Sequence, residues 1–209
     1  MSKILVFSSN PPKSYVNALD FVKLKYDCLF APTDFSPYDG LLLTGGGDVL
    51  PAFYNGDLPG KNVNVLRDAA EFNAVKYFTE KGLPILGVCR GAQILNVYFG
   101  GKLNVVDGHM SDRGDVYHEV ETVGRDIKFP LEIVNSAHRQ SCRPLAENAK
   151  PQLVANDGVI EAFTINSAII AVQFHPERMG VAAITAVYGK FAKMINAAKR
   201  VLPTRASDE

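Results

Sequence analysis

The stretch Pro84-Ile85-Leu86-Gly87-Val88-Cys89-Arg90-Gly91-Ala92-Gln93 leads a short apolar run directly into a cysteine with a glycine two positions to either side. This spacing is typical of a nucleophile elbow, a tight strand-to-helix turn that presents a reactive side chain at its tip. The chain passes close to itself on both flanks of such a turn, so positions −2 and +2 must lack bulk. Gly87 and Gly91 meet that demand, which makes Cys89 the candidate nucleophile.

A helix that begins at Arg90 would also point its unpaired N–H groups and the positive end of its dipole at the sulfur, which favours the thiolate. The same residues are compatible with a small buried core cysteine beside two turn glycines. The motifs elsewhere in the chain help to decide between a nucleophilic and a structural Cys89.

Short apolar runs alternate with helical patterns on both sides of this stretch. Such alternation predicts an α/β fold with a mostly parallel sheet covered by helices. The segment 102–165 differs, because its runs are shorter and often alternate, and we expect short antiparallel strands and loops there. The apolar runs are Ile4–Phe7, Cys28–Phe30, Leu41–Leu43, Ile85–Val88 and Ile169–Val172, and the main helical patterns are 15–24, 68–81, 92–99 and 181–202.

Length and composition indicate one globular domain over residues 1–202, followed by a tail, 203–209, that has nothing to bury and is expected to be disordered. Hydrophobic residues make up 47% of the chain and charged residues 21%. The 22 basic and 22 acidic side chains cancel, with no dense basic run, which argues against nucleic acid as the main partner. A small-molecule ligand is the expectation.

Three cysteines, Cys28, Cys89 and Cys142, form no C-x-x-C pair, so neither a disulfide framework nor a zinc ribbon is indicated. Reduced thiols fit a cytoplasmic protein. The apolar run at the N-terminus is too short for a signal peptide, and no run reaches the length of a membrane span.

Three consecutive glycines end the third apolar run, in Thr44-Gly45-Gly46-Gly47-Asp48. A phosphate loop is the obvious competitor, but neither G-K-[ST] nor a helix-opening G-x-G-x-x-G is present. An oxyanion hole fits better, with one N–H from Arg90, directly after the nucleophile, and a second from Gly46 or Gly47. The glycines are also compatible with a simple flexible turn.

The run 169–172 leads into Gln173-Phe174-His175-Pro176-Glu177. On an extended backbone His175 and Glu177 project to the same side. A cysteine nucleophile needs such a base, and the base needs a carboxylate to orient it. A further polar loop, residues 134–141, is compatible with a lid or a solvated turn. His109 and His118 lack metal-ligand spacing and are expected to be surface or structural residues, so no metal is predicted.

Together the four motifs resemble the class I (triad) glutamine amidotransferase superfamily, and the γ-glutamyl-γ-aminobutyrate hydrolase branch in particular. Residues 67–71 (Arg-Asp-Ala-Ala-Glu) and 100–104 (Gly-Gly-Lys-Leu-Asn) are also similar to that branch. The match runs in order from Leu41 to Glu177.

The resemblance implies a flavodoxin-like sheet with helices on both faces and a small antiparallel extension. It implies a catalytic triad of Cys89, His175 and Glu177, an oxyanion hole from the Gly46 and Arg90 N–H groups, and no cofactor. It also implies that a γ-glutamyl substrate is held by Gln93, Asn135, Ser136 and His138.

The expected activity is hydrolysis of a γ-glutamyl amide through a γ-glutamyl thioester, which releases glutamate and an amine. The first alternative is a glutaminase subunit that supplies ammonia to a separate synthase. The second is a non-catalytic binding protein on the same scaffold. The sequence leaves open the identity of the leaving amine, and whether the protein forms a homodimer.

Overall fold

The computed structural model describes residues 2–56, 60–127 and 129–201. The expected tail, 203–209, lies outside them. The helices are α1 (Lys13–Phe21), α2 (Val65–Glu80), α3 (Arg90–Tyr98) and α4 (Val181–Val201). The strands are β1 (Lys3–Phe7), β2 (Lys25–Leu29), β3 (Gly40–Leu43), β4 (Ile85–Val88), β5 (Leu103–Val105), β6 (Val116–Thr122), β7 (Ile133–Ser136), β8 (Gln140–Cys142), β9 (Ala149–Ala155), β10 (Ile160–Ile165) and β11 (Ile169–Val172).

A nine-stranded sheet with the order β2-β1-β3-β4-β11-β10-β9-β6-β7 forms the centre of the molecule. The pairs from β2 to β11 are parallel, and those from β11 to β7 are antiparallel. Strands β5 and β8 form a separate antiparallel pair. The predicted α/β fold is confirmed, but the antiparallel part is a substantial portion of the main sheet and larger than the small extension expected.

Side chains alternate across the parallel strands because successive residues of a strand point to opposite faces. Helices α1 and α4 cover one face, where Leu19 and Phe191 belong to the same core as Val6 and Leu42. Helices α2 and α3 cover the other face, in the core whose members include Val75, Ile94, Leu5 and Leu43. Because both faces are buried, these strands read as unbroken apolar runs.

The central strands β3, β4 and β11 end at the same edge, which is where a parallel sheet places its ligand crevice. Val88, the last residue of β4, pairs with Val172, the last residue of β11. The motifs that follow these strands are thereby brought together. Within the described part of the chain, no helix has both the length and the apolar character needed to cross a bilayer.

Candidate active site

Cys89 is the single residue between β4 and α3, and its backbone is strained. It has φ 53° and ψ −108°, in a region that non-glycine residues rarely occupy. A Cβ atom at Gly87 would lie 2.6 Å from the Gly91 carbonyl oxygen, and one at Gly91 would lie 2.4 Å from the Leu43 carbonyl oxygen. The spacing therefore predicts this turn correctly, including the reason for both glycines.

His175 and Glu177 lie beside this turn. The Cys89 N–H donates to the Val172 carbonyl at 2.8 Å, which ties the elbow to the end of β11. The chain then continues to His175, whose Nδ1 lies 2.7 Å from Glu177 Oε1. Glu177 is held in a short 3₁₀ turn, Pro176–Arg178. All three proposed triad residues are buried.

Cys89 and Glu177 determine the charge of His175. Burial disfavours the imidazolium, but hydrogen bonds to Cys89 and Glu177 outweigh it and raise the His175 pKa from 6.5 to about 9. His175 is therefore protonated at neutral pH, next to the sulfur. The protonated ring stabilises the fold fully below pH 6.5, and this contribution is lost as the pH rises through about 9.

We expect an NMR titration of the His175 ring to give a pKa of about 9 in the wild type. The value should fall in Cys89→Ala, because the imidazolium loses its hydrogen bond to the Cys89 sulfur while the desolvation stays. Cys28→Ala, which removes a half-buried thiol on β2, is the matched control and should leave the titration unchanged. An unaltered His175 pKa in Cys89→Ala would contradict the contact.

Two residues without an assigned catalytic role position the His175 segment. Asn135 Oδ1 accepts the His175 N–H at 2.9 Å, and Asn135 Nδ2 donates to Asp115 at 2.8 Å. Tyr15, on α1, places its hydroxyl 3.5 Å from His175 Nδ1 and accepts the Gly45 N–H at 2.9 Å. Sequence reasoning missed Tyr15, although a tyrosine on the buried face of an amphipathic helix is a signal that its hydroxyl needs a partner.

The glycine loop after β3 is held by Arg67, in the first turn of α2. Its guanidinium donates to the Thr44 carbonyl at 3.1 Å and to the Gly45 carbonyl at 3.2 Å. A trans peptide points its C=O and N–H in opposite directions, so the Gly46 N–H points away from Arg67. Gly46 also lines a cavity with Cys89. This geometry favours Gly46 as an oxyanion donor.

Arg90 joins the elbow to the same network. Its N–H belongs to the first turn of α3 and has no acceptor within the helix. Its side chain is 2% exposed and forms ion pairs with Asp68 and Glu71, both fully buried on α2. Glu71 also accepts a hydrogen bond of 2.8 Å from Arg67 Nε. The motif at 67–71 thus fixes both loops that carry the proposed oxyanion donors.

Residues 32–177 match the sequence model of the family described as Peptidase C26. The chain belongs to the Peptidase C26 family. This is a family of class I glutamine amidotransferase-like, cysteine-dependent hydrolases.

The chain is also similar to two curated proteins and to one solved structure. It is 36% identical over 156 residues to a Schizosaccharomyces pombe protein named provisionally as a glutamine amidotransferase, covering 66% of this chain and 62% of that protein. It is 31% identical over 150 residues to the γ-glutamyl-CDP-amidate hydrolase of Campylobacter jejuni, covering 69% and 67%. A Thermoplasma acidophilum structure, described provisionally as part of a GMP synthase, superimposes with a TM-score of 0.75 at 19% identity, covering 96% and 97%.

The chain spans about half to two thirds of the length of the curated relatives it matches. The low identity of the solved structure shows the shared fold alone.

In this Peptidase C26 member a cavity of about 140 Å³ opens beside Cys89. That volume is below the 300–1,000 Å³ of typical drug-sized sites, so it suits a group the size of one amino acid. Among the residues that the structure describes, three charged side chains line it: Asp48, Lys61 and Arg139. Asp48 and Arg139 form an ion pair with each other. The wall therefore offers charges of both signs.

The four residues expected to bind substrate occupy different places. Gln93 and His138 line the cavity, and Gln93 Nε2 donates to the Gln140 carbonyl at 2.9 Å. Asn135 and Ser136 are fully buried, and neither is among the described lining residues. Asn135 holds the His175 backbone, and Ser136 Oγ lies 2.9 Å from the His109 carbonyl oxygen. Their position supports a role in shaping the site, and sequence reasoning did not single out Asp48, Lys61 or Arg139.

Proposed function

We propose that this protein hydrolyses a γ-glutamyl amide through a thioester on Cys89. The observation that carries the proposal is the strained Cys89 turn beside the His175–Glu177 pair, whose imidazole and carboxylate atoms lie 2.7 Å apart. The relative from Campylobacter jejuni is named as a hydrolase of a γ-glutamyl compound, which supports the choice of acyl group.

In the first half-reaction the Cys89 thiolate attacks the γ-carbonyl carbon, and the carbonyl oxygen takes up the negative charge. The Gly46 and Arg90 N–H groups stabilise this oxyanion. When the intermediate collapses, the C–N bond breaks and the His175 imidazolium donates its proton to the departing amine. The product on the enzyme is a γ-glutamyl thioester with a neutral His175.

In the second half-reaction neutral His175 removes a proton from a water molecule, which attacks the thioester. The C–S bond breaks, glutamate leaves, and the thiolate–imidazolium pair is restored. Glu177 orients the imidazole and stabilises its charge in both steps.

The charged wall of the cavity suits the α-amino and α-carboxylate groups of the glutamyl moiety. Asp48 would bind the ammonium, and Arg139 and Lys61 would bind the carboxylate. The substrate head group would thus exchange with the Asp48–Arg139 ion pair, so neither charge is left unpaired on binding or release.

A second candidate function is a glutaminase subunit that delivers ammonia to a synthase partner. The name of the relative from Schizosaccharomyces pombe favours it. The two candidates share the same thioester and differ in the leaving group: ammonia for the glutaminase, and a substituted amine for the hydrolase.

A trapping experiment tests the proposal. The wild-type protein is mixed with glutamine or with N-substituted γ-glutamyl amides, quenched in acid and analysed by intact mass spectrometry and peptide mapping. We expect the same mass increase, one glutamyl acyl group on Cys89, from every cleaved substrate, because the amine has already left. The matching α-glutamyl amides should give no adduct.

Relative turnover separates the candidates. Preference for a substituted amide over glutamine supports the hydrolase. Glutamine turnover that rises sharply when a synthase encoded by a neighbouring gene is added supports the glutaminase. If no substrate is cleaved and a glutamine-analogue electrophile fails to label Cys89, the protein is a binding protein on this scaffold.

A further inference from the structure

A second group of ionisable side chains lies on the antiparallel half of the sheet. We call it the histidine cluster; its members are His109, His118, His138, Asp157 and Glu161. His109 and His138 precede β6 and β8, and Glu161 lies on β10. His109 is fully buried, so the alternative that it is a surface residue is wrong. The sequence does not indicate this burial, because the irregular loop that carries His109 has no hydrophobic periodicity.

Glu161 is the unusual member. It is fully buried, and the ion-pair partners of its carboxylate among the described residues are two imidazoles. A buried carboxylate without compensation is strongly unfavourable. Its nearest polar neighbours are two imidazole nitrogens: His109 Nδ1 at 3.2 Å and His138 Nε2 at 3.5 Å from Glu161 Oε1.

The other nitrogen of each ring already has a partner. His138 Nδ1 lies 3.0 Å from the Gln140 carbonyl oxygen, which can only accept, so this nitrogen carries the proton. His109 Nε2 lies 2.8 Å from an Asp157 carboxylate oxygen, which assigns its proton in the same way. In the neutral rings, His109 Nδ1 and His138 Nε2 therefore turn lone pairs toward Glu161, an arrangement that needs a positive charge between them, either a proton on a ring nitrogen or a metal ion.

Ser136 can supply only one proton here. Its hydroxyl lies 3.0 Å from His109 Nδ1 and 2.9 Å from the His109 carbonyl oxygen. Whichever acceptor it serves, the Ser136 hydroxyl does not compensate the lone pair of His138 or the charge of Glu161.

We propose that His109 Nδ1, His138 Nε2 and Glu161 Oε1 bind one divalent metal ion, and that zinc is the ion this donor set suits. Two imidazoles and a carboxylate are established zinc ligands, with bond lengths of about 2.0–2.2 Å. A tetrahedral site of that size separates its ligand atoms by about 3.3–3.6 Å. The 3.2 and 3.5 Å separations from Glu161 Oε1 are close to that edge, and the three residues form a group that offers ligand atoms within 4.8 Å of one another.

The surroundings have the features of a metal site. A metal-bound histidine normally donates its other N–H to a carboxylate or a carbonyl, as His109 does to Asp157 and His138 does to Gln140. A water molecule or the nearby Ser136 hydroxyl would complete four-coordination. The Asp157 side chain is 45% exposed, so the His109 end of the site borders solvent.

The other geometric grouping, His109 with His118 and Asp157, fits less well. The two rings are stacked, with centroids 3.9 Å apart and planes inclined by 21°. In-plane lone pairs of stacked rings run nearly parallel and do not converge on one ion. His118 is therefore a packing neighbour and supplies a matched control.

The ion would fix the wall of the substrate cavity. The backbone N–H of His138 donates to the His109 carbonyl at 2.9 Å. His138, Arg139 and Gln140 all line the cavity beside Cys89. Holding His138 to Glu161 on β10 would keep this segment in place before the substrate arrives.

The test measures metal binding and does not depend on activity. The full-length Cys89→Ser protein, in which zinc cannot bind the proposed nucleophilic thiol, is dialysed against metal-free buffer and titrated with Zn²⁺ by calorimetry and thermal unfolding. We expect one ion per chain and a melting temperature that rises with Zn²⁺ concentration. The Co²⁺ form should show visible bands without thiolate charge-transfer absorption.

Glu161→Gln and His138→Asn should each weaken Zn²⁺ binding by about 100-fold or more, whereas His118→Asn should bind within about threefold of the parent. The proposal is overturned if the Cys89→Ser protein takes up no ion and its melting temperature does not respond to Zn²⁺. It is also overturned if Glu161→Gln binds as well as the parent, or if His118→Asn loses as much affinity as His138→Asn. Ion uptake and the melting-temperature response are both measured on the Cys89→Ser protein, so they do not require any variant of the histidine cluster to fold.

Discussion

Replacing Cys89 with alanine is expected to lower the turnover of γ-glutamyl amides by about 10⁴-fold or more, because it removes the sulfur on which the proposed thioester forms. The remaining rate would come from substrate positioning and the oxyanion donors alone. Alanine fills less space than cysteine, and the strained backbone at this position is fixed by Gly87, Gly91 and the β4–β11 hydrogen bonds. The fold should therefore survive the change.

The measurement is amine release under saturating substrate, with calorimetric binding of the same substrate to Cys89→Ala. Binding should persist, since the charged side chains that line the cavity are unchanged. Cys28→Ala is the control for loss of a thiol and should keep the wild-type rate. Turnover by Cys89→Ala within tenfold of the wild type would remove Cys89 from the mechanism.

Glu71→Ala is expected to lower the free energy of unfolding by about 3–5 kcal/mol. Glu71 is fully buried and binds both Arg90 and Arg67, so its removal leaves the buried Arg90 guanidinium with Asp68 as its remaining carboxylate partner. The loss should appear as a lower urea midpoint with an unchanged slope. Activity should fall as well, because Arg67 positions the loop that carries Gly46.

Glu80→Ala, on the same helix, is the matched control. Glu80 faces Lys76 at 3.8 Å, and both side chains are more than half exposed, so we expect a change within about 0.5 kcal/mol. Glu71→Gln keeps the shape and removes the charge, which separates electrostatic from packing effects. Equal stability losses in Glu71→Ala and Glu80→Ala would contradict the role of the buried network.

The elbow was predictable because its constraints are local. Gly87 and Gly91 are required by atoms within the turn and the neighbouring strand, and such requirements leave a fixed spacing in the sequence. The parallel sheet was predictable for a similar reason, since burial on both faces produces continuous apolar runs. The extent of the antiparallel half was underestimated because short alternating strands such as β6 carry a weak signal.

The roles of residues whose partners are distant in the sequence could not be predicted in the same way. The sequence motif at 67–71 was recognisable, but its partner Arg90 is 19 and 22 positions away from Glu71 and Asp68. Asn135 is an obvious polar residue, yet only the fold shows that its oxygen is used by the His175 backbone, 40 positions away. Glu161 did leave a signal, since a glutamate between apolar residues in a short strand requires a compensating partner.

The pairing of β4 with β11 decides more than the order of the sheet. Strands rise about 3.3 Å per residue, so a slip of one position would move His175 beyond hydrogen-bonding reach of Cys89 and turn alternate side chains to the other face. The part of the fold that must stay intact for the site to form is therefore two adjacent strands, aligned at Val88 and Val172, together with the turns that follow them. Engineered insertions, circular permutations and loop grafts need to preserve that short alignment. The connectivity of the remaining elements can change without disturbing it.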